Sequence, residues 1–359
     1  MRTPRSRLSK SFSLKKSLAG CAQAVEFAPE SWRGNWHAWT PANPDNLDVI
    51  IDAAIESYQA AHAPEATRSN KQVFATAAHP AVVPSTTTNA SKGSPANACT
   101  TGVPSVTTDA PPTATGATKA SRNEKVYEKA VLDLGSGKGE YTIACAKLHP
   151  ETLYIGIDIE EICMIRSAER ALAANVSNAV FITANDPDLQ TLFAPGELDG
   201  ILMNFPTPYP NKKRAPLRLT YLDRLLTYRT ILAPGATIRL RTDSLPLRDF
   251  SLTQLELAGY EIKWNSDDVR ALFPDEPTSG YEEKLTAQGA VVCGFEAVPG
   301  PEPEHIEQTA PLSLVSYLPE NIEDMNYIPY GMQGCVENMR GRRANCRKKG
   351  KPVWTRPIV

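Results

Sequence analysis

The stretch Val131-Leu-Asp-Leu-Gly-Ser-Gly-Lys-Gly139 constrains this chain more than any other. A short apolar run ends in three alternating glycines, and a helical pattern opens directly after them at Glu140. Glycines permit the tight turn and let a ligand approach the backbone closely. A strand that turns sharply into a helix is the opening unit of a parallel sheet, and ligands of such sheets lie at the carboxyl ends of the strands. Asp133 stands at that end, two residues before the first glycine.

The alternation continues along the chain. Strands are expected at Ala130–Leu134, Thr152–Ile157, Ala179–Thr183, Leu198–Asn204 and Ala236–Leu240, and helices at Glu140–Leu148, Glu161–Ala174, Thr220–Leu232 and Pro246–Leu257. Pro234-Gly235 is expected to stop the third of these helices. Tyr260–Trp264 and Ala290–Phe295 read as a late hairpin-like pair. The predicted fold class is α/β: a mostly parallel twisted sheet with helices on both faces and a late antiparallel strand.

Not all of the 359 residues can join that core. From about Thr67 to Lys119 the chain is dominated by Ala, Thr, Ser and Pro, with too little apolar surface to offset the entropy of ordering. Four segments follow. Residues 1–64 hold a basic tail, an aromatic patch of Trp32, Trp36 and Trp39, and a helix-like stretch Leu47–Ala61. Residues 65–123 are expected to be a disordered insertion, 124–298 the domain of alternating strands and helices, and 299–359 an irregular, basic tail.

The net charge of −2 points to no partner, but its distribution does. Arg2, Arg5, Arg7, Lys10, Lys15 and Lys16 precede the first acid, and Arg340, Arg342, Arg343, Arg347, Lys348, Lys349, Lys351 and Arg356 crowd the other end. Basic arms of this kind suit nucleic acid, or are simply solvated tails. The seven cysteines form no CxxC pair, which argues against zinc and redox sites, and no metal is expected. Scattered cysteines without a secretory signal, and no run of transmembrane length, suggest a cytoplasmic protein without a membrane partner.

Further candidates gather at the strand ends. Gly156-Ile-Asp158 places a second carboxylate where ribose hydroxyls would lie. Asn185-Asp186 follows the third strand, where it either hydrogen-bonds an adenine or caps a turn before Pro187. The fourth strand runs into Met203-Asn-Phe-Pro-Thr-Pro-Tyr-Pro-Asn-Lys-Lys-Arg214. This stiff aromatic loop leads into Lys212, Lys213, Arg214 and Arg218, an arrangement suited to a base pocket beside a phosphate track. A nicotinamide or flavin fold would more often show the longer GxGxxG spacing. The Asp-x-Gly-x-Gly-x-Gly pattern with a strand-end acid resembles that of S-adenosylmethionine-dependent methyltransferases.

From about Trp32 to Val298, less the insertion, the chain resembles the guanine-N7 tRNA methyltransferases. Arg33-Gly-Asn-Trp36, the run Asn204–Pro210, Arg218-Leu-Thr220, Thr242-Asp243, Tyr281-Glu-Glu-Lys284 and Gly289 carry the resemblance, in order and at similar spacing. It implies a Rossmann-like class I methyltransferase fold. The implied activity is methyl transfer from S-adenosylmethionine to N7 of a guanine in the tRNA variable loop, by a monomer or a homodimer. Asp133, Gly135, Gly137, Gly139, Asp158, Asn185, Asp186 and Asn204 would hold the cofactor. Asp243 and position 207 would be catalytic, while Asn211, Lys212, Lys213, Arg214, Arg218, Asp243, Ser279 and Glu282 would meet the RNA. The chain departs from the family at several of these places. Thr207 replaces an aspartate, Asn185 replaces an acid, and Asn211 replaces a lysine. Ala215-Pro-Leu217 thins the basic run, and Ser279-x-x-Glu282 replaces Thr-x-x-Glu. Asp243 and Glu282 are then expected to supply the negative field that Thr207 lacks. Two other readings stay open: a methyltransferase of an exocyclic amine, which Asn204-Phe-Pro-Thr-Pro-Tyr209 loosely resembles, and an RNA-binding protein without turnover.

Overall fold

Side chains two apart on a strand share a face. Leu132 and Leu134, Ile155 and Ile157, and Val180 and Ile182 therefore line one side of a sheet, while Tyr154 and Phe181 line the other. In the computed structural model both sides are covered, and the strands run in the order β3-β2-β1-β4-β5-β7-β6. The structure describes residue 18, residues 20–41, 126–183 and 189–353, and residue 355. The expected helix Leu47–Ala61, the insertion 65–123 and the N-terminal basic residues lie outside the described residues.

The strands are β1 Lys129–Leu134, β2 Thr152–Asp158, β3 Ala179–Thr183, β4 Leu198–Asn204, β5 Leu232–Thr242, β6 Tyr260–Ser266 and β7 Cys293–Pro299. The first five are parallel, and β7 is antiparallel to both β5 and β6. Helices α1 Glu140–Leu148 and α2 Glu161–Ala173 cover the face of Tyr154 and Phe181. Helices α3 Leu189–Leu192, α4 Leu222–Ile231 and α5 Leu245–Leu257 cover the other. Two short helices, α6 Val269–Leu272 and α7 Gly280–Thr286, fill the connection from β6 to β7.

Three expectations need correction. The helix expected to run to Leu232 ends at Ile231, and β5 begins at once rather than at Ala236. The Pro234-Gly235 pair makes an irregularity inside β5, where pairing jumps from Leu198↔Leu232 to Gly200↔Thr237. Proline cannot donate to the ladder, so the strand bulges there. The last strand starts at Cys293, because Ala290–Val292 are still leaving α7. The tail after Pro299, expected to be irregular, folds. It carries 3-10 turns at Leu314–Tyr317 and Ile322–Asp324 and a helix α8 at Gln333–Lys348.

That extension builds a core of its own. Leu314, Tyr317, Leu318, Ile322, Met332 and Val336 pack with Leu247 and Phe250 of α5. Arg340 pins α8 by donating to the carbonyls of Ile322 at 2.7 Å and Met325 at 2.9 Å. Gly350, at φ 61°, ends the helix in the left-handed conformation that closes many helices, and Pro352 follows.

The aromatic N-terminal patch also proves structural. Trp36 and Trp39 are fully buried, and Trp36 packs on Phe193. The Glu197 carboxylate accepts the amides of Gly34 at 2.8 Å and Trp36 at 2.9 Å. His37 meets Asp199, which also accepts the amide of Ala130. These contacts lie at the amino ends of β1 and β4, opposite the strand ends where the glycine turn sits. Among the described residues no helix is long and apolar enough to cross a membrane.

Candidate active site

Gly135, Gly137 and Gly139 take φ values of 82°, 56° and 69°, a region costly for any residue with a Cβ. Space requires glycine at Gly139 as well, since a Cβ there would lie 2.7 Å from Ser167 Cβ on α2. At Gly137 a Cβ would meet nothing within 4 Å, so that turn faces an open cleft. Asp158, at the end of β2, orders the turn: its Oδ2 accepts the Gly137 amide at 2.9 Å and its Oδ1 the Glu160 amide at 2.9 Å.

Asp133 lies deeper, with 1% of its surface exposed. Burial pushes its carboxyl up to about 6 and the nearby Asp158 charge adds to this, while hydrogen bonds from Thr142 and Asn204 oppose it. Those bonds measure 2.6 Å from Thr142 Oγ1 to Oδ2 and 3.3 Å from Asn204 Nδ2 to Oδ1. Two cavities open above the strand ends. One of 670 Å³ is lined by Leu134, Ile157, Asp158, Leu189, Thr207 and Tyr209, among others. The other, of 600 Å³, is lined by Asp133, Gly137, Asn204, Ser279, Tyr281 and Lys284, among others. Gly135, Cys163 and Phe205 border both, so the two adjoin at the Phe205 ring.

The loop after β4 separates them. Phe205 and Tyr209 are held at φ 49° and 43°, left-handed conformations that cost about 1–3 kcal/mol each in a non-glycine residue. The surroundings impose them at several points. The Phe205 amide donates to the Arg241 carbonyl at 2.7 Å. Arg218 donates to the carbonyls of Pro208 at 3.0 Å and Tyr209 at 2.7 Å. The Leu314 amide donates to the Pro210 carbonyl at 3.1 Å. Phe205 meets Tyr281 edge-on with ring centres 5.6 Å apart. Thr207 is exposed at the crest of the loop. Asn211, Lys212, Lys213 and Arg214 follow it in the open, the last with its guanidinium 4.5 Å from the Tyr209 ring centre.

Two expected RNA contacts are placed elsewhere. Arg218 is buried under the loop with its guanidinium 4.3 Å from the Phe250 ring centre, and burial lowers it to about 10. It braces the loop from beneath and does not present charge to a phosphate. Glu282 is 1% exposed. It receives both carboxylate bonds from Arg241, at 2.8 and 2.9 Å, and a third from Arg270 at 2.5 Å. Its charge is spent within the protein, so it cannot supply the negative field expected of it. Ser279 caps α7 through the Glu282 amide at 3.2 Å and borders the second cavity. Asn185 and Asp186 lie outside the described residues.

Asp243, at the end of β5, is met by the C-terminal extension. Its Oδ2 accepts the Tyr327 hydroxyl at 2.6 Å and the Tyr330 amide at 3.4 Å. Among the described residues no cluster of His, Cys, Asp and Glu could hold a metal ion.

Residues 127–294 match a family model described as "Putative methyltransferase". The tRNA (guanine-N(7)-)-methyltransferase of Geobacillus kaustophilus is 33% identical over 171 residues, spanning 47% of this chain and 79% of the relative. Its counterpart in Streptococcus sanguinis is 35% identical over 167 residues, spanning 46% and 79%. The chain belongs to the tRNA (guanine-N(7)-)-methyltransferase family. Among solved structures, the antibiotic-resistance methyltransferase Kmr aligns with a TM-score of 0.36 at 20% identity, over 50% of this chain and 90% of that one.

In this methyltransferase the family match ends at residue 294, so the extension that meets Asp243 lies beyond it. Tyr327 and Tyr330 reach Asp243 only because the tail, expected to be irregular, folds. A signal was present: Met332, Val336 and Met339 recur at helical spacing and end before Gly350 and Pro352.

Proposed function

We propose that this chain transfers the methyl group of S-adenosylmethionine to N7 of a guanine in tRNA. One observation carries the reading. Asn204 donates to Asp133 of the glycine turn and also opens the loop that sets Thr207 into the cavity shared with Asp158.

The residues fit the cofactor. Asp133, Asp158 and the glycine amides suit a cationic amino acid end and ribose hydroxyls, and Ile157, Ile159 and Leu189 suit a flat ring. A cavity of 670 Å³ lies within the usual range of small-molecule sites. S-adenosylmethionine, when bound, supplies an electrophilic methyl on a cationic sulfur. Guanine N7 carries a free lone pair, so no residue has to remove a proton first. The chain's task is alignment, which can lower a barrier by roughly 7–11 kcal/mol in favourable cases. The braced loop 204–210 fixes the crest where Thr207 stands. The methylated ring is cationic, and Asp243 provides the negative charge near it. Thr207 contributes a hydroxyl without charge. Asn211, Lys212, Lys213 and Arg214 track the RNA backbone, and Ser279 lines its approach. Asn185 and Asp186 complete the adenine end. Residues 124–298 act as the catalytic domain, and the setting is the cytoplasm, without a membrane partner.

The test is methyl transfer from labelled S-adenosylmethionine to unmodified tRNA transcripts, with the product nucleoside identified by mass. N7-methylguanosine is the expected product. A methyl on an exocyclic amine, or no transfer by protein that binds the cofactor, overturns the reading. Thr207→Asp restores a carboxylate to the crest of the loop and is expected to raise kcat about tenfold, less than the roughly hundredfold that losing one preorganised electrostatic group typically costs.

A further inference from the structure

The extension covers Leu247 and Phe250 of α5 with Leu314, Tyr317 and Val336, so it is fixed to the domain through apolar contact. It also touches the loop that carries Thr207. The Leu314 amide donates to the Pro210 carbonyl, and a Cβ on Gly331 would sit 3.6 Å from Pro208 Cγ. Between those contacts run Tyr327 and Tyr330. Both donors reach the same oxygen of Asp243, Oδ2. Among the described residues no protein donor reaches Oδ1. A carboxylate held by one oxygen presents the other in a fixed direction, which suits the N–H donors on the edge of a guanine.

The Tyr330 ring stands in the open, 68% exposed, while its backbone is held against Asp243. Tyr281, 43% exposed, lies close by: burial raises its phenol, and the charges of Asp243 and Tyr330 add to that. Phe205 continues the row through its edge contact with Tyr281. Aromatic rings left in water beside a cleft are the means by which unpaired RNA bases are held.

We infer that the C-terminal extension completes the substrate side of the cleft, with Tyr327 positioning Asp243 and Tyr330 offering its ring as a stacking surface for an unpaired RNA base. The inference rests on the methyl-transfer reading for its kinetic consequences, but the RNA contact itself is testable without turnover.

Removing the whole extension would uncover Leu247 and Phe250, so point variants of the full chain are the right probes. Binding of an unmodified tRNA transcript is measured in the presence of S-adenosylhomocysteine, alongside steady-state methyl transfer. Tyr330→Ala is expected to weaken tRNA binding and raise KM for tRNA on the order of tenfold, the scale of one lost base stack. Cofactor affinity stays the same, and Tyr330→Phe restores what Tyr330→Ala loses. Tyr327→Phe keeps the ring but removes the shorter of the two bonds that hold Asp243, and is expected to lower kcat several-fold with KM for tRNA unchanged. Wild-type tRNA affinity in Tyr330→Ala overturns the inference. So does a rise in kcat in Tyr327→Phe, which would make the extension a lock on Asp243 rather than part of the site. Absence of N7-methylguanosine from the wild-type reaction would sink the methyl-transfer reading, and the binding of Tyr330→Ala would still decide this one.

Discussion

Burial lifts the Asp133 carboxyl from an ordinary 3.8 to about 6, with Asp158 close enough to add to the effect. A protonated Asp133 offers a cationic ligand no charge. Cofactor affinity is therefore expected to fall as pH drops through about 6, by up to tenfold per pH unit once one proton must be lost to bind. The stability effect has the opposite sign. The folded acid keeps its proton to a higher pH than the unfolded acid, so its contribution favours folding below about 4 and is lost as pH rises to about 6. Calorimetric titration of S-adenosylmethionine between pH 5 and 7.5 checks the first point. A flat profile for the wild type, or the same slope in Asp133→Asn, would contradict it. Asp133 and the glycine turn were legible in the sequence because their geometry is local: strand, turn and helix follow one another without interruption. Arg218 and Glu282 were misread for the converse reason. Each carries a charge in a short motif, but its role is set by partners outside that motif, Phe250 for one and Arg241 and Arg270 for the other.

Most elements were legible too, since apolar alternation places β1 to β4, α1 and α2 within a residue or so of where they stand. The longest element that escaped is α8, whose 16 residues bury only Val336 and Met339. A helix with so narrow an apolar stripe reads as a charged tail until α5 is present to receive it. The loop 204–210 was legible as stiff but not as strained, because its two left-handed residues are aromatic and give no sign of positive φ in sequence. Its shape depends on Arg218, whose planar fork reaches two carbonyls at once. A lysine has one compact ammonium group and cannot span both. Arg218→Lys is expected to lower stability by about 1–3 kcal/mol in urea unfolding, the scale of lost buried bonds to a charged group. It should also cut kcat more than the stability loss explains, since the loop would relax away from the cleft. Unchanged kcat in a folded Arg218→Lys protein would mean that the loop holds its shape without the fork.

At the scale of the whole molecule, a chain of net charge −2 must bind a polyanion through local charge alone. The structure sorts the C-terminal cations into two groups. Arg340 and Arg343 are spent on carbonyls of the extension, and Arg343 and Arg347 both pair with Glu323. Arg342, Lys348, Lys349 and Lys351 are exposed, with no ion-pair partner among the described residues. They join Lys212, Lys213 and Arg214 among the exposed cations able to meet phosphate, and the extension that carries them is anchored to the same loop. Each phosphate contact adds about 0.7–0.9 to the slope of log affinity against log salt. Changing Arg342, Lys348, Lys349 and Lys351 to Gln together is expected to reduce that slope for tRNA by about three to three and a half, with cofactor affinity and melting temperature held. Changing Lys212, Lys213 and Arg214 to Gln should reduce it by a further amount, additive with the first because the two clusters share no partner. An unchanged slope in the first variant would confine the RNA to the loop side of the cleft and leave the end of α8 to solvent.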